Sequence, residues 1–527
     1  MIDFVIKKTE SKYLARSGLT LVEVMIATVL AMLLMMSLAT AFKRVGDSIT
    51  ENRAALQMSN QLRTLSSLLR RDLEMATAIP SPPMPSDRPM GYLKIFEGPV
   101  CDFSAKVYLE ASVPGAGRFG DVDDILMLTA CSSGEWFTGK VPRYVAEKRN
   151  PSNPTPYDLE PVIIGSKYAE IIWYTTPIAT GAGGVPEVMQ LHRRVLLVRP
   201  DLNQANGLPL TFSIPLAYQV CDLSMRKSSS GGVVANTLED LMYLENRFAH
   251  IQLQIQGHFS MPVLDLGDAF AFAQGGAGSN FGNVPFRSGL LNSSYWLQGD
   301  RQGEDVVMSN CLAFDLKVFD PEVQLYMRGT TGAYRSADII LSPNDPGYAT
   351  AVGGSPVGSG DFVDLGWYRN VAAYSLFKGG TPPTTGFVGF SGFRANNTNG
   401  FALSLLKSGM VLPGRLSQIT YDTWTTGYEL DFRFQGDLAG TSIPQQGTVM
   451  LQSATPGRPR VDLGTNGLDD PEVTGGFADG LVDDFYEEET SAPFPLPLRS
   501  VKAIVRLEEP DTRQLQQISV VSEFITK

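Results

Sequence analysis

The residues that most often carry out catalysis are scarce in this sequence. Three histidines occur, His192, His250 and His258, and none stands in an HExxH motif or beside a pair of cysteines. Those arrangements hold catalytic or structural zinc, so we expect no zinc site. Residues 389–392 only approach the G-x-S-x-G motif of a serine nucleophile, and no glycine loop is followed by a phosphate-binding lysine. The sequence therefore predicts a protein that is not an enzyme.

The four cysteines would permit disulfide chemistry if the chain is exported. They are Cys101, Cys131, Cys221 and Cys311. A bond between Cys101 and Cys131 would close the shortest loop and is our first candidate. Buried free thiols are the alternative, because cysteine spacing alone does not fix the connectivity.

Residues 461–498 contain ten carboxylates and no Lys or Arg, interspersed with glycines. Oxygen ligands on a loop that bends back on itself suit Ca²⁺, which is the one cofactor this sequence suggests. The candidate ligands are Asp469, Asp470, Asp479, Asp483 and Asp484. The twelve-residue Ca²⁺ loop pattern is absent, so a solvated acidic linker that extends by self-repulsion is the alternative.

The overall composition excludes several classes of protein. The 527 residues are 43% hydrophobic and only 19% charged, which excludes a chain that is disordered throughout. The net charge of −12 is opposite to that of a general nucleic-acid binder, so no nucleic acid is expected as a partner.

The N-terminal region has an almost uninterrupted apolar run over residues 19–42, with Glu23 as its single charge. As a helix this run is long enough to cross a bilayer. Four basic residues precede it, which predicts a cytoplasmic N-terminus and an exported remainder. A cleaved secretory signal would be shorter and free of acids, and a plain anchor has no use for a carboxylate in hydrocarbon.

The sequence SGLTLVEVMIATVL, which starts at Ser17, resembles the prepilin-type signal of type IV pilins and type II secretion pseudopilins. That resemblance implies cleavage after Gly18 by a prepilin peptidase and N-methylation of Leu19, with Glu23 as the family's acidic position. Leu19 departs from the Phe or Met most common in the family, and the leader is long.

A lone carboxylate at this depth needs neutralisation or a partner. In an assembled fibre the resemblance gives Glu23 the amino terminus of a neighbouring subunit as its partner, so we assign Glu23 to subunit assembly. A carboxylate at headgroup depth without a partner is the alternative.

The elements that position these residues begin with one long helix. Apolar residues recur at threes and fours beyond residue 42, which predicts a helix over residues 19–79 that ends before Pro80. Strands follow near residues 123–128, 170–174, 190–198 and 250–255, with a short helix near 236–245. This order of strands is similar to that of J-type minor pseudopilins and W-type minor pilins.

The predicted fold class is therefore α+β and pilin-like, with a long N-terminal transmembrane helix packed on an antiparallel sheet. We divide the chain into a leader (1–18), a helix (19–79, transmembrane over 19–42), a pilin-like domain (80–258), a Gly/Asn/Ser-rich β insertion (259–460), an acidic glycine-rich loop (461–498) and a terminal β-hairpin (499–527). The insertion includes predicted strands at 314–319, 337–341 and 428–434, and the hairpin is expected to close the sheet.

The resemblance implies a minor pilin or pseudopilin, a structural subunit of a type IV pilus or type II secretion pseudopilus. Its expected partners are the prepilin peptidase, the other pilins of the fibre and the inner membrane, with the bulk of the chain exported. The large exported part favours the fibre tip. The alternative is a membrane-anchored binding or adhesion protein that recognises a polymer or surface through aromatics such as Trp367, Tyr368 and Trp424.

Overall fold

The structure is a computed structural model, and the parts of the chain that it describes begin at Thr20. They are residues 20–81, 84, 88–96, 122, 124–180, 186–210, 212–228, 232–243, 246–250, 291–328, 339–342, 355–365, 420–423, 449–451, 460–462, 497–510 and 512–524. Contacts cluster into two units, residues 1–59 and residues 60–527.

The long helix α1 runs over Leu21–Glu74, so the predicted long N-terminal helix is confirmed. In the first unit the large apolar side chains from Leu21 to Leu56 are exposed, for example Leu21 (78%) and Met32 (71%). An 18-residue window of it has a mean hydropathy of 2.3, which makes α1 long and apolar enough to cross a membrane. In the second unit the helix is amphipathic, since Leu62, Leu65, Leu69 and Leu73 are all buried.

Helix α1 ends at Glu74, five residues before the predicted end at Ile79. The backbone after it pairs with a strand instead: Cys131 N–H donates to Met75 O, and Thr77 N–H donates to Thr129 O, both at 2.9 Å. These bonds supply partners for groups that a longer helix would have used internally, which explains the earlier end.

Sixteen strands follow in the described residues. They are β1 (Leu93–Phe96), β2 (Ile125–Cys131), β3 (Phe137–Pro142), β4 (Pro161–Ser166), β5 (Tyr168–Thr180), β6 (Pro186–Leu197), β7 (Met225–Lys227), β8 (Val233–Ala235), β9 (Val306–Arg328), β10 (Ile339–Leu341), β11 (Gly358–Val363), β12 (Thr420–Asp422), β13 (Val449–Leu451), β14 (Arg460–Asp462), β15 (Ser500–Glu508) and β16 (Leu515–Glu523). Short α-helices are α2 (Arg143–Ala146), α3 (Pro156–Leu159) and α4 (Ile214–Val220).

Ten of these strands form one antiparallel sheet in the order β12-β1-β2-β5-β6-β9-β15-β16, with β10 and β11 also paired to β9. The pairs β3–β4, β7–β8 and β13–β14 stand apart from it. The helix and this large antiparallel sheet make the chain α+β. Its core contains the fully buried Trp173 and Tyr174 of β5 and Phe314 of β9.

The predicted strands near residues 123–128, 170–174 and 190–198 correspond to β2, β5 and β6. The terminal hairpin is also present as β15 and β16, which pair without interruption from Ser500↔Glu523 to Glu508↔Leu515. It joins the same sheet as β2, as expected. Short apolar runs in β2 and β5 and the alternation of residues in the terminal hairpin made these strands recognisable.

Part of the range predicted as an insertion lies inside this sheet. Strand β9 is 23 residues long, and it pairs with β6 on one side and with β15 on the other. The predicted strand at 314–319 is therefore part of an inner strand, and the predicted boundary at residue 259 does not separate β9 from the sheet that contains β2, β5 and β6. Strand β10 covers part of the predicted strand at 337–341, and residues 428–434 lie outside the described residues.

Two other predicted elements are met only in part. Near residues 236–245 the described residues form a 3₁₀ turn, Asp240–Met242, and Asp240 N–H donates to Thr237 Oγ1 at 3.0 Å. Of the strand predicted at 250–255, only His250 is described, and it is not in a strand.

Candidate functional site

The first unit carries one carboxylate at the beginning of its apolar helix. Thr20 N–H and Thr20 Oγ1–H donate to Glu23 Oε2 at 2.9 and 3.1 Å, and Glu23 N–H donates to Thr20 Oγ1 at 3.3 Å. This reciprocal pattern is a capping box, and it places negative charge at the positive end of the helix. Glu23 is exposed, so its carboxylate also faces the surroundings.

The predicted cleavage residues Gly18 and Leu19 lie outside the described residues, as does the leader. Their role therefore stays a prediction. In the structure, the Glu23 carboxylate accepts a hydrogen bond from the backbone N–H of Thr20, three residues earlier in the chain.

The helix surface that follows Glu23 is apolar and exposed. Side chains all around the helix are exposed, including Leu33 (58%), Met36 (71%) and Phe42 (68%). A helix that is apolar all round is stable only in a bilayer or among other helices, because water is a poor solvent for such a surface. The chain is therefore equipped for insertion in a membrane or for helix packing between molecules.

In the second unit the last turns of α1 are joined to the sheet by one buried carboxylate. Asp72 has no exposed side-chain area and accepts from Arg193 Nε at 2.6 Å, from Arg193 Nη2 at 2.8 Å and from Trp173 Nε1 at 3.0 Å. Arg193 and Trp173 are cross-strand partners on β6 and β5. The bidentate pair fixes which face of this helical segment lies on the sheet.

The same strands hold an arrangement with the hydrogen-bond pattern of a catalytic triad. His192 Nδ1 lies 3.0 Å from Asp305 Oδ1, and His192 Nε2 lies 2.7 Å from Thr176 Oγ1. Asp305 Oδ2 accepts from Tyr174 Oη at 3.0 Å, and the Tyr174 ring stacks on the imidazole at 4.9 Å. Nucleophile, base and orienting acid occupy comparable positions in acyl-transfer enzymes.

This Thr176–His192–Asp305 arrangement lacks what catalysis requires. Thr176 is 4% exposed and His192 6%, so the hydroxyl has no room for a substrate beside it. The hydrogen bonds of His192 and Asp305 are all made to side chains of β5, β6 and the residue before β9, within the fold. The arrangement acts as a satisfied buried network that joins β5, β6 and the start of β9.

A cleft of about 460 Å³ lies beside this network, lined by β3 and β4, the later part of β6 and the start of β9. Its four cations are already paired with carboxylates. Lys140 binds Glu304 at 2.7 Å, Arg194 and Arg301 bind Asp222 at 2.8 Å, and Arg193 binds Asp72 at 2.6 Å. Asp305, which also lines the cleft, is a fourth carboxylate, so the charges balance and the cleft does not favour an anionic ligand.

A second buried cluster connects β1 with β12. Lys94 Nζ donates to His250 Nε2 at 2.7 Å, since His250 Nδ1–H is used by Phe248 O at 2.8 Å. Arg247 Nη1 lies 2.5 Å from Asp422 Oδ2, the carboxylate of the cross-strand neighbour of Lys94. Burial lowers the pKa of Lys94 to about 7 and that of His250 well below its ordinary value. Burial therefore favours an uncharged His250 and makes Lys94 a weaker base than an exposed lysine.

Glu170 of β5 is the third buried ionisable centre. It accepts from Tyr92 Oη and Ser224 Oγ, both at 2.6 Å, and from Phe248 N–H at 2.8 Å. Burial raises the pKa of Glu170, while these three donors oppose that rise. The carboxylate is enclosed on all sides, so we regard it as a structural junction of four chain segments.

The remaining predicted site residues are placed as follows. Asp469, Asp470, Asp479, Asp483 and Asp484 lie outside the described residues, so the Ca²⁺ prediction stays open. Within the part of the chain that is described, no group of three His, Cys, Asp or Glu side chains could hold a metal ion.

The predicted disulfide is likewise untested in full. Cys131 is a free cysteine in the structure, and Cys101, its predicted partner, lies outside the described residues. Cys221 and Cys311 are buried free thiols, and burial raises the pKa of Cys311 to about 12. These two thiols are poor nucleophiles at neutral pH.

The chain matches no protein-family model, no curated protein and no solved structure. What can be inferred of its function therefore comes from its own residues and geometry. Of those residues, Asp72 and Asp305 were missed from the sequence. Asp72 stands in an Arg-Arg-Asp-Leu-Glu run that is typical of a solvated helix face, and Asp305 precedes β9 by one residue without any motif.

Proposed function

We propose that this chain is a minor pilin-type subunit of a type IV pilus or a type II secretion pseudopilus. In this role the helix anchors the subunit in the inner membrane and then packs in the fibre, and the sheet-bearing part is exported. The bulk of the exported part favours a position at or near the tip. The prepilin peptidase and the other subunits of the fibre are its partners.

One observation carries the proposal: a single helix of 54 residues has two different surfaces. Its first part is apolar on all sides and exposed, with one carboxylate at its beginning. Its last part is amphipathic, and its apolar stripe and Asp72 are buried within the second unit. A fibre subunit needs this division, because one end of the helix must pack with other helices while the other end carries a folded domain.

The mature amino terminus tests the class of protein. Intact-mass and peptide mass spectrometry of the membrane-extracted chain should find a chain that begins at Leu19 and carries one additional methyl group. A Gly18→Leu variant is the matched control and should retain residues 1–18. Recovery of an intact Met1 in the unsubstituted chain would overturn the proposal.

The role of Glu23 needs a separate test. Glu23→Gln keeps an acceptor for the Thr20 hydrogen bonds but removes the charge. We expect the variant to be processed normally and to remain in the membrane, whereas the unsubstituted chain is recovered in sheared fibres. Glu51→Gln, an exposed carboxylate farther along α1, is the control and should assemble normally. Normal assembly of Glu23→Gln would rule out the assigned role.

A further inference from the structure

A lysine and two aspartates meet in a buried position between strand β9 and the end of β11. Lys317 Nζ lies 2.5 Å from Asp364 Oδ1 and 3.1 Å from Asp315 Oδ2. The Lys317 side chain is 6% exposed, and the side chains of Asp315 and Asp364 are 2% and 0% exposed. These three residues form a lysine–carboxylate cluster. It shares no residue with the cleft or with the buried centres described above.

The strand register brings the three residues together. β11 pairs antiparallel with β9, and its last pair is Val363↔Val318, so Asp364 lies opposite Lys317 one step farther on. Side chains alternate along a strand, which puts Asp315 and Lys317 on one face of β9. Opposite residues on paired strands have Cβ atoms about 4.5–5.5 Å apart, well within the reach of a lysine. The backbone itself therefore positions the amine on both carboxylates.

The same face of the sheet carries an aromatic pair and a second lysine. Phe319 and Phe362 are cross-strand partners next to the cluster, with their ring centroids 5.5 Å apart. Lys502 of β15 is the cross-strand partner of Lys317 on its other side, and Lys502 Nζ lies 5.7 Å from the Phe362 ring centroid. Lys502 is half-buried, whereas Lys317 is buried. Lys502 is therefore a matched lysine against which the chemistry of Lys317 can be compared.

An amine that is held against a carboxyl group in a dry site is placed to condense with it. Proton transfer from the ammonium to a carboxylate gives a neutral amine and a neutral acid, and burial favours neutral forms over charged ones. Well-oriented groups within one molecule react as if each were present at about 10⁵–10⁸ M. Exclusion of water also protects the product from hydrolysis.

We propose that Lys317 and Asp364 condense to an isopeptide bond, with Asp315 as the proton carrier. Lys317 Nζ attacks Asp364 Cγ, the N–C bond forms, and the C–O bond to one carboxyl oxygen breaks. Asp315 takes two protons in turn from Nζ and passes them to that oxygen, which leaves as water. Asp315 ends as the carboxylate that it began as, and the step consumes no oxidant, reductant or other reactant.

The bond would change the fold in two ways. It replaces a buried ammonium and a buried carboxylate with a neutral amide, which removes the cost of keeping both charges out of water. It also closes the chain from Lys317 to Asp364 into a loop and ties β11 to β9, as a disulfide would, so it restricts the unfolded chain. The inference is independent of the pilin-type proposal, since it uses residues of the second unit alone.

Peptide mass spectrometry of the full chain tests the bond directly. Trypsin does not cut after a lysine whose side chain is acylated, so residues 302–328 and 336–369 should be recovered as one branched peptide. Its mass should be lower than the sum of its two parts by one water. Recovery of residues 302–317, 318–328 and 336–369 only as linear peptides from the folded, membrane-extracted chain would overturn the proposal.

Substitutions at the two joined residues identify the atoms involved. Lys317→Arg keeps a cation beside both carboxylates, but a guanidinium stays protonated and cannot attack, so the branched peptide should be lost. Lys502→Arg is the matched control and should yield the branched peptide as the unsubstituted chain does. Asp364→Asn should give the same product, with ammonia as the leaving group. A loss of water that persists between these segments in Lys317→Arg would refute the bond.

Asp315→Asn tests the proton carrier. The amide keeps an oxygen that can accept from Lys317 but cannot carry a proton. General acid–base catalysis contributes about 10²–10⁴-fold, so the branched peptide should form at least about 100-fold more slowly after a pulse of labelled synthesis. Asp361→Asn, which alters a carboxylate of β11 outside the cluster, is the control and should leave the rate unchanged. An undiminished rate in Asp315→Asn would rule out the role assigned to Asp315.

Discussion

The Asp72–Arg193–Trp173 contact gives the sharpest quantitative prediction for the folded part of the chain. Asp72→Ala removes a fully buried carboxylate that accepts three hydrogen bonds, two of them from a guanidinium that is only 13% exposed. Removing one partner of such a pair leaves a poorly solvated cation behind, at a cost of about 3–5 kcal/mol. The partial exposure of Arg193 lets water approach, so we expect the lower end, about 3 kcal/mol.

Urea unfolding of the full chain in micelles measures this loss, with fluorescence of the buried Trp173 as one reporter. Glu74→Ala is the matched control, because Glu74 is an exposed carboxylate two residues along the same helix. It should change the free energy of unfolding by less than about 0.5 kcal/mol. A loss at Asp72→Ala as small as that of the control would refute the reasoning.

A double-mutant cycle separates the pair from the general cost of a cavity. Arg193→Met alone leaves Asp72 buried with only the indole as a donor, so it should also destabilise strongly. Asp72→Leu combined with Arg193→Met removes both charges and should be less destabilising than the sum of the two single changes, by a coupling of about 2 kcal/mol. Simple additivity of the two changes would mean that the ion pair does not couple helix and sheet.

Three further predictions concern the buried groups and the backbone. The pKa of Lys94 is about 7 in the folded chain and 10.5 in the unfolded chain. Between these pH values the unfolded chain binds one more proton, so the free energy of unfolding should rise with pH. Lys94→Met should reduce that rise, measured by urea unfolding, by at most about 1.4 kcal/mol per pH unit. The pKa of His250 is lowered well below 6.5 by burial and by nearby cations, so stability should fall as the pH drops below about 6.5, and His250→Gln should lessen the fall. Gly91 has φ +67°, and a Cβ there would collide with Thr129, so Gly91→Ala should lower the free energy of unfolding by about 3 kcal/mol. Gly303→Ala is the control and should cost about 1 kcal/mol, because φ is +82° but the nearest atom to the added Cβ is 3.9 Å away.

How much of this fold was predictable depends on the range of the interactions that fix each element. The helix and the strands β2, β5, β6, β15 and β16 could be predicted because their patterns are local: apolar residues at threes and fours, or short apolar runs. The end of α1 was placed late because it is decided by backbone bonds from Met75 and Thr77 to a strand some 50 residues away. Local propensity carries no information on such a partner.

The inner position of β9 was missed for a similar reason. Its glycine-rich flanks made residues 259–460 look different in composition from the rest, and composition was taken as a domain boundary. Strand order is instead set by which edges find partners, and β9 fills the place between β6 and β15. A change of composition marks loops well but does not show where the strands between them lie.

The buried polar centres show the same limit at the level of single residues. Asp72 meets Arg193 across 121 positions, His192 meets Asp305 across 113, and Arg247 meets Asp422 across 175. In the sequence alone, each of these charged residues looks like an ordinary surface residue, and His192 looks like an ordinary residue of a strand. Only the fold determines that each is buried, and burial is what requires the partner.

These pairings also separate the parts of the chain that are complete from those that need another molecule. In the described part of the second unit each buried charge named above has a partner of opposite sign or a hydrogen-bonding neighbour. The exposed surface of the first unit is different in kind, because it is an apolar helix that hydrocarbon or other helices satisfy. The two parts of the chain should therefore respond to different changes. Glu23→Gln should leave the urea unfolding of the second unit unchanged, and Asp72→Ala should leave processing at Gly18 intact, because neither substitution touches the chemistry of the other part.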